Sequence, residues 1–311
     1  MKIATVTTTR EPGLPLVSFV KYHLQLGVCH MFIFYEGGLD TALEQLLNRN
    51  QVTLVACDDV LREQWRALDS FPKVVKFLDR EVQARQILNA ELGVRRAKEL
   101  GMDWIAHLDT DELLYPGATT LLDHFKSAQR AEATQLVFWN HEAVPETEEV
   151  SDYFKEVTLF KANPQTTRDA TLAPLFIAYR TGKAAARLDH DPIPWGVHRF
   201  RSRTAPSRTL GSKSCRILHY PSCGFSRYIS KYKMLGAFED KYFDQVSLRD
   251  HLSFYSTTRD LILADRSADA RALYQERVML RGYEEETRKQ LLDAGYLLRI
   301  CAPSEMLTTR Q

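Results

Sequence analysis

The stretch that decides the fold runs from Trp104 to Glu112 and reads Trp-Ile-Ala-His-Leu-Asp-Thr-Asp-Glu. Its mostly apolar first half predicts a buried strand. Side chains two residues apart on a strand point the same way, so Asp109 and Asp111 should project together beyond its end. Two such carboxylates repel each other unless a cation lies between them. Ligands of α/β sheets bind at the carboxyl ends of strands, so we expect a Mg²⁺ or Mn²⁺ site that handles phosphate.

The residues before this stretch alternate between strand and helix patterns. Strands are predicted over 3–8, 31–35 and 52–56, and helices over 15–26 and 81–100. This alternation is typical of a Rossmann-like, mostly parallel sheet covered by helices, so the predicted fold class is α/β.

The later part of the chain is predicted to be less regular and then helical. Residues 175–179 are predicted to form a strand, and from about residue 224 the pattern stays mostly helical. We therefore predict an α/β domain over 1–245 and a helical C-terminal extension over 246–311, which we expect to serve packing or oligomerisation and not chemistry.

The overall composition excludes several classes of protein. The 311 residues include 41 basic and 40 acidic ones, so there is no electrostatic reason to expect nucleic acid or an anionic membrane as a partner. The sequence contains no apolar run long enough for a transmembrane helix, and its start lacks the apolar region of a signal peptide. Five scattered cysteines without a C-x-x-C pair indicate a reducing compartment, so we expect a cytoplasmic location. The oligomeric state stays open.

Five short blocks, in order, resemble GT-A glycosyltransferases, in particular the family-2-like and family-92-like enzymes. The central block runs from Gln86 through Leu114 and includes Trp104–Leu114 with its Asp-Thr-Asp-Glu. The others lie at residues 19–28, 31–36, 182–198 (Gly182-Lys183, Arg187 and Gly196-Val197-His198) and 218–220 (Leu218-His219-Tyr220). The resemblance covers residues 2–235 and implies a GT-A fold and a sugar-nucleotide donor.

The same resemblance implies a divalent cation that neutralises the departing nucleoside diphosphate. Asp111 is expected to coordinate Mn²⁺ or Mg²⁺ directly, and Asp109 to bind the metal or a ribose hydroxyl. Glu112 falls on the opposite strand face and is expected to pair with a cation of the protein. His219 is the candidate imidazole ligand, although an isolated histidine is equally typical of a core edge.

Further candidates surround the donor, and each is also compatible with an ordinary capping or solvated position. Residues expected near the nucleoside are Thr7, Thr9, Glu11, Glu36, Asp40, Gln86 and Asn89. Cations expected to bind the diphosphate are Lys183, Arg187, Arg227, Lys231 and Lys233. Relatives often carry Lys-Asn-Glu where this chain has Thr9-Arg10-Glu11, and an aspartate in place of Glu36, so a UDP-sugar and a GDP-sugar both remain possible donors.

The segment from Leu188 to His198 is predicted to bind the acceptor glycan. It offers Asp189, His190, Asp191 and His198 as bases for an inverting reaction, and we prefer Asp191 and His198. Trp195 could stack on a sugar face, or anchor a structured loop. A retaining enzyme would need no base here, and Glu142 is a further candidate.

Two other functions stay open. A nucleotidyltransferase also combines an α/β sheet with acidic metal ligands, but the residues after the first strand match its Gly-rich basic loop poorly. A non-catalytic carbohydrate-binding protein of the same fold is the other alternative. A metal-dependent glycosyltransferase, hexosyl- or pentosyl-transferring, is the leading interpretation.

Overall fold

The computed structural model describes residues 1–10, 13–37, 50–167, 175–235 and 253–309. They form two compact units. The first comprises Met1–Trp139 and Thr181–Ile217, and the second comprises Asn140–Arg180 and Leu218–Gln311. The predicted domain boundary between residues 245 and 246 lies outside the described residues.

The strands within these ranges are β1 (Ile3–Thr9), β2 (His30–Tyr35), β3 (Val52–Ala56), β4 (Trp104–His107), β5 (Glu112–Tyr115), β6 (Gln135–Ala143), β7 (Leu159–Lys161), β8 (Lys183–Arg187), β9 (Pro192–Trp195), β10 (Arg199–Ser202), β11 (Thr209–His219) and β12 (Leu297–Arg299). The helices are α1 (Leu14–Gln25), α2 (Asp59–Arg66), α3 (Phe71–Val74), α4 (Val82–Glu99), α5 (Leu121–Arg130), α6 (Tyr153–Glu156), α7 (Phe225–Leu235), α8 (Ser253–Leu263), α9 (Ser267–Leu273), α10 (Glu285–Asp293) and α11 (Ala302–Thr308). No helix in these ranges is long and apolar enough to cross a membrane.

The first unit is built on a sheet whose first half is parallel. Strands β3, β2, β1 and β4 are neighbours in that order, and each pair runs parallel. β8 then pairs antiparallel with β4, and β6 with β8. Because β1 and β4 are parallel, with Val6 opposite His107, their carboxyl ends meet at one edge of the sheet. The predicted α/β fold class, with its parallel strands and covering helices, is confirmed.

Helix α4 covers this sheet and brings polar residues to its edge. The buried face of the helix includes Leu88, Ala90 and Val94. Gly93 lies against the sheet so closely that a Cβ there would come within 2.7 Å of the Val6 side chain. A helix packed this tightly holds its side chains in fixed positions relative to β1 and β4.

The second unit contains short antiparallel strands and the C-terminal helices. β12 pairs with β7, and β7 pairs with the end of β6. An aromatic cluster of Tyr228, Tyr232, Phe254 and Tyr274 joins α7, α8 and the residues after α9. The helical pattern predicted for the C-terminal part is therefore present, with β12 inserted near its end.

The strand predicted over residues 175–179 is absent from the structure. Instead, the backbone N–H groups of Ile177 and Ala178 donate to Glu142 Oε2 at 2.8 and 2.9 Å. A buried carboxylate thus satisfies donors that a strand would have offered to a neighbour. The apolar pattern indicated burial correctly but not the conformation.

Candidate functional site

The acidic residues after β4 form a tight loop that we call the acid loop (residues 109–112). The Asp109 N–H donates to Glu112 Oε2 at 2.8 Å, and the Glu112 N–H donates to the Asp109 carbonyl at 3.1 Å. The hydroxyls of Thr110 and Thr9 are 3.0 Å apart, which joins the loop to the end of β1. The acid loop therefore lies at the carboxyl edge of the sheet, where ligands of α/β proteins bind.

A buried lysine on a different strand also binds the acid loop. Lys183, at the start of β8, is fully buried, and its Nζ lies 2.8 Å from Asp109 Oδ2 and 3.8 Å from Glu112 Oε2. The same Nζ donates to the carbonyl of Val197 at 3.3 Å. The expected cation partner of Glu112 is thus Lys183, a residue that we had predicted to bind the diphosphate.

The electrostatics of this pair keep both groups charged. Burial raises the pKa of Asp109, but the nearby ammonium of Lys183 outweighs it and leaves the pKa well below its usual value. Burial lowers the pKa of Lys183, and Asp109 and Glu112 outweigh that effect, so its pKa is raised. Burial, aided by the charge of Lys183, lowers the pKa of His107 to about 3 and that of His198 to about 3, so both imidazoles are neutral near pH 7.

Helix α4 places two of the predicted nucleoside contacts against the site. Gln86 donates from Nε2 to Asp109 Oδ1 at 2.7 Å. Asn89 donates to the Thr8 hydroxyl at 3.0 Å and accepts a hydrogen bond from Trp65 Nε1 at 2.9 Å. Gln86 therefore supports a carboxylate, and Asn89 ties α4 to β1 and to α2.

The end of β2 carries a second charge pair, which is partly buried. Arg85 binds both carboxylate oxygens of Glu36, and its Nη2 donates to Glu36 Oε2 at 3.0 Å. The Nε of the exposed Arg10 lies 3.5 Å from the same oxygen. Thr7 is buried in β1, and its hydroxyl has no hydrogen-bond partner within the described residues. Glu11 and Asp40, also predicted near the nucleoside, lie outside the described ranges.

The acid loop supplies oxygen donors of the kind that a hard divalent cation prefers. Each oxygen of Asp109 already accepts one hydrogen bond or ion pair, from Gln86 and from Lys183, and each retains a lone pair. Over the ranges that the structure describes, no group of three or more His, Cys, Asp or Glu side chains is arranged to hold a metal. One or two carboxylates completed by substrate phosphates is the usual Mg²⁺ arrangement, and Asp109 with its remaining lone pairs fits it. Asp111 lies buried in the same loop, with 8% of its surface exposed.

The aspartates of the predicted acceptor segment are engaged in ion pairs. Asp191 adopts a left-handed conformation with φ 47° and pairs with Lys98 at 2.7 Å and Arg203 at 3.7 Å. The hydrogen bond from Lys98 holds the pKa of Asp191 below its ordinary value. The neighbouring carboxylate of Asp189 is bound by Arg187, which we had predicted to bind the diphosphate.

His198 lies deeper than Asp191. Its Nδ1 is 3.0 Å from the Gly182 carbonyl, and its imidazole lies within electrostatic reach of Lys183 and Asp109. His198 thus belongs with the acid loop, whereas Asp191 belongs to an ion-pair network with Lys98. The catalytic roles of both residues stay predictions.

The second unit holds the remaining candidates. His219 ends β11, where it is buried and its ring packs on Tyr179 with centroids 5.0 Å apart. Lys231 in α7 donates to the Pro221 carbonyl at 3.0 Å, and Lys233 is exposed. Arg227 lies over the Tyr153 ring. The predicted ligand and diphosphate roles of these residues stay predictions.

Glu142 in the same unit forms a fully buried ion pair with Lys161 at 3.1 Å. Lys161 also donates to the Arg277 carbonyl at 2.8 Å. With its other oxygen bound to two backbone N–H groups, Glu142 is engaged in holding the chain. This position does not favour the role of a proton acceptor for a substrate.

Sequence reasoning missed several contacts that build the site. It did not anticipate that Lys183 and Gln86 bind Asp109, that Arg85 binds Glu36, or that Trp65 binds Asn89. The one local signal was Gly182. Its φ is 67°, and a Cβ at this residue would lie only 2.1 Å from the Phe138 carbonyl oxygen, which leaves no room for a side chain. A glycine required at that point indicates a tightly fixed strand start before Lys183.

Comparison with known proteins adds family information to this geometry. The sequence pattern of glycosyltransferase family 92 matches residues 3–223. Two glycosyltransferase-like proteins of Arabidopsis thaliana are 28% and 27% identical over 96% of this chain. The chain spans 70% and 62% of the lengths of these two relatives.

Among solved structures, core-mannan synthase A of Aspergillus fumigatus, in an Mn/GDP form, is 8% identical with a TM-score of 0.30 over 61% of this chain and 60% of its own. HddC of Yersinia pseudotuberculosis is 9% identical with a TM-score of 0.33 over 74% of this chain and 98% of its own. Likeness at this level carries no conclusion about ligands.

Proposed function

Because the chain belongs to glycosyltransferase family 92, we propose that it transfers a sugar from a nucleoside-diphosphate sugar to a hydroxyl group of a glycan or other acceptor. The observation that carries the proposal is the acid loop at the carboxyl edge of the sheet, held by the Lys183–Asp109 ion pair. A UDP-sugar or a GDP-sugar is the proposed donor, with a hexose or pentose as the transferred group.

The acid loop would hold the divalent cation of such an enzyme through Asp111 and the remaining lone pairs of Asp109. A bound Mn²⁺ or Mg²⁺ supplies positive charge where the diphosphate leaves. The protein's own part is to keep these carboxylates ionised and in place before the donor arrives. Lys183 and Gln86 do this for Asp109, and the Thr9–Thr110 contact fixes the loop between the two carboxylates.

Such pre-organisation favours catalysis because groups that are already oriented need no rearrangement as charge develops. Gln86 and Lys183 come from α4 and β8, two elements that pack on β4, so the loop is supported from both sides. Loops that are held by rigid neighbours keep a ligand site within a narrow geometry.

The first test is thermal unfolding with UDP or GDP, each with and without Mn²⁺. A ligand that binds only the folded protein stabilises it by RT ln(1 + L/Kd), where L is the free ligand concentration, and thereby raises the melting temperature. We expect one nucleotide to stabilise the wild-type protein more strongly when Mn²⁺ is present, and Asp111→Asn to lose this increment. Asp79→Asn, at an exposed carboxylate of the same unit, is the matched control and should behave as wild type.

The second test is release of the nucleoside diphosphate from a panel of UDP- and GDP-sugars, followed by mass analysis of any acceptor product. The proposal fails if no nucleoside diphosphate stabilises the wild-type protein and no donor is turned over. If Asp111→Asn binds and turns over a donor as well as wild type does, the assignment of the acid loop is wrong.

A further inference from the structure

The β9–β10 hairpin carries an aromatic side chain that the fold itself does not use. Trp195 ends β9 with 50% of its surface exposed, and it is the one aromatic among the large exposed hydrophobic residues in the described ranges. Trp65 and Trp104, in contrast, are each 1% exposed. The exposed face of this tryptophan is a flat apolar surface on which a ligand can stack.

The ring is held in a fixed orientation by its neighbours in the hairpin. Trp195 and Arg199 are paired across the strands, as are Ile193 and Arg201, so these four residues share one face. The Arg201 guanidinium stacks over the Trp195 ring, and no carboxylate pairs with Arg201 in the part of the chain that the structure describes. On the other face, Pro194 and Phe200 are buried.

The hairpin is also bonded to the lysine that supports the acid loop. Strand β9 packs along α4, with Asp191 bound to Lys98 near the end of that helix. Two residues beyond Trp195, the Val197 carbonyl accepts from Lys183 Nζ at 3.3 Å, and Lys183 holds Asp109. Arg199 ties the returning strand to the residue before β8 through its bond to the Gly182 carbonyl at 3.4 Å. The turn that carries Trp195 is therefore bonded to the side chain that supports the carboxylates.

We propose that Trp195, held in place by Arg201, forms a subsite for a pyranose ring of the acceptor. The apolar C–H face of the sugar would stack on the face of Trp195 that is turned away from Arg201. The stack with Arg201 orders the indole before the sugar binds, which lowers the entropy lost on binding. This inference rests on the proposed function, because it supplies the acceptor side of the same reaction.

Isothermal titration with four tetrasaccharides tests the subsite without requiring catalysis. The probes are the β-1,4-linked tetramers of glucose, mannose and galactose, together with tetragalacturonic acid. We expect at least one probe to bind the wild-type protein, Trp195→Ala to weaken it by about tenfold or more, and Trp195→Phe by only about threefold. Arg201→Ala, which keeps the indole but removes the group that orders it, should weaken the same probe by only a few-fold, and a loss larger than that of Trp195→Ala would contradict the stacking role of Trp195.

Two controls keep this result separate from the test of the proposed function. Val60→Ala, at an exposed apolar residue of α2, should leave binding of every probe unchanged. Nucleotide binding by Trp195→Ala should match that of wild type, which also shows that the variant is folded. The subsite is overturned if Trp195→Ala binds the probes as wild type does, or if wild type binds a nucleoside diphosphate but no probe at about 10 mM.

Discussion

Lys183 Nζ lies 2.8 Å from Asp109 Oδ2 in a position where the lysine is fully buried. This pair joins β8 to the loop that follows β4, two parts of the chain that are 74 positions apart (183 minus 109). Burying an ammonium group is unfavourable unless a carboxylate compensates it, so each partner requires the other. The acid loop owes its position to this long-range contact as well as to its own sequence.

Lys183→Met should therefore destabilise the protein strongly. It leaves the buried Glu112 and the partly exposed Asp109 without their cation, and breaking a buried pair in this way costs up to about 3–5 kcal/mol. The free energy of unfolding in urea measures the effect. Lys98→Met breaks the partly exposed pair with Asp191 and should cost under about 1 kcal/mol. A loss for Lys183→Met no larger than that of the control would contradict the role assigned to the buried pair.

Gly182→Ala should misplace Lys183. A Cβ at residue 182 would lie 2.1 Å from the backbone carbonyl of Phe138, and neither backbone segment can move away freely. Gly101→Ala is the matched control, because Gly101 has a similar φ of 63° with nothing within 4 Å of a Cβ. We expect the control to lose about 1–2 kcal/mol of unfolding free energy through its backbone conformation alone, and Gly182→Ala to lose clearly more. Equal losses for the two variants would show that the contact with Phe138 relaxes.

Gln86→Leu tests whether the support of Asp109 matters for the proposed cation. The amide donates to Asp109 Oδ1 at 2.7 Å, and loss of such a supporting hydrogen bond typically lowers metal affinity by about 10–100-fold. Titration of the nucleotide-free protein with Mn²⁺, followed by electron paramagnetic resonance, gives the affinity. Gln64→Leu, at an amide that accepts from Arg96, is the control. Unchanged Mn²⁺ affinity in Gln86→Leu would show that the hydrogen bond from Gln86 to Asp109 does not support metal binding.

His23 makes the stability of the first unit depend on pH. Its Nδ1 bonds to the Phe19 carbonyl at 2.9 Å, and its Nε2 accepts from the Leu114 N–H at 3.3 Å, so the buried ring must be neutral. Burial lowers its pKa to about 4, compared with about 6.5 in the unfolded chain. Because the folded-state pKa is the lower one, the contribution is fully present above about pH 6.5 and is lost as the pH falls towards 4.

We expect His23 alone to contribute a slope of about 1.4 kcal/mol per pH unit between roughly pH 6 and 4. Urea unfolding at several pH values, compared between wild type and His23→Gln, isolates this slope, since glutamine can still donate and accept at this position. His124→Gln, at a partly exposed histidine of α5, is the control. Parallel pH profiles for wild type and His23→Gln would contradict the assignment.

The sequence by itself determined the elements that local pattern controls. Apolar runs of strand length predicted β1, β2, β3 and β4, and a long amphipathic pattern ending at Gly101 predicted α4. The end of β4 followed by Asp109-Thr110-Asp111-Glu112 identified where carboxylates meet the ligand edge of the sheet. These features follow from periodicity and chain direction, which need no distant partner.

Only the tertiary structure determined which polar side chain pairs with which carboxylate. Lys183, Gln86 and Arg85 each look like surface groups in the sequence, and each is instead bound to a carboxylate of a different element. Residues 175–179 have the pattern of a strand, but two of their backbone N–H groups bind the carboxylate of Glu142 and no strand forms there. Pairing between residues far apart in the sequence depends on how strands and helices pack. Once such a group is buried, leaving it unpaired carries a large electrostatic cost. No local pattern encodes that choice.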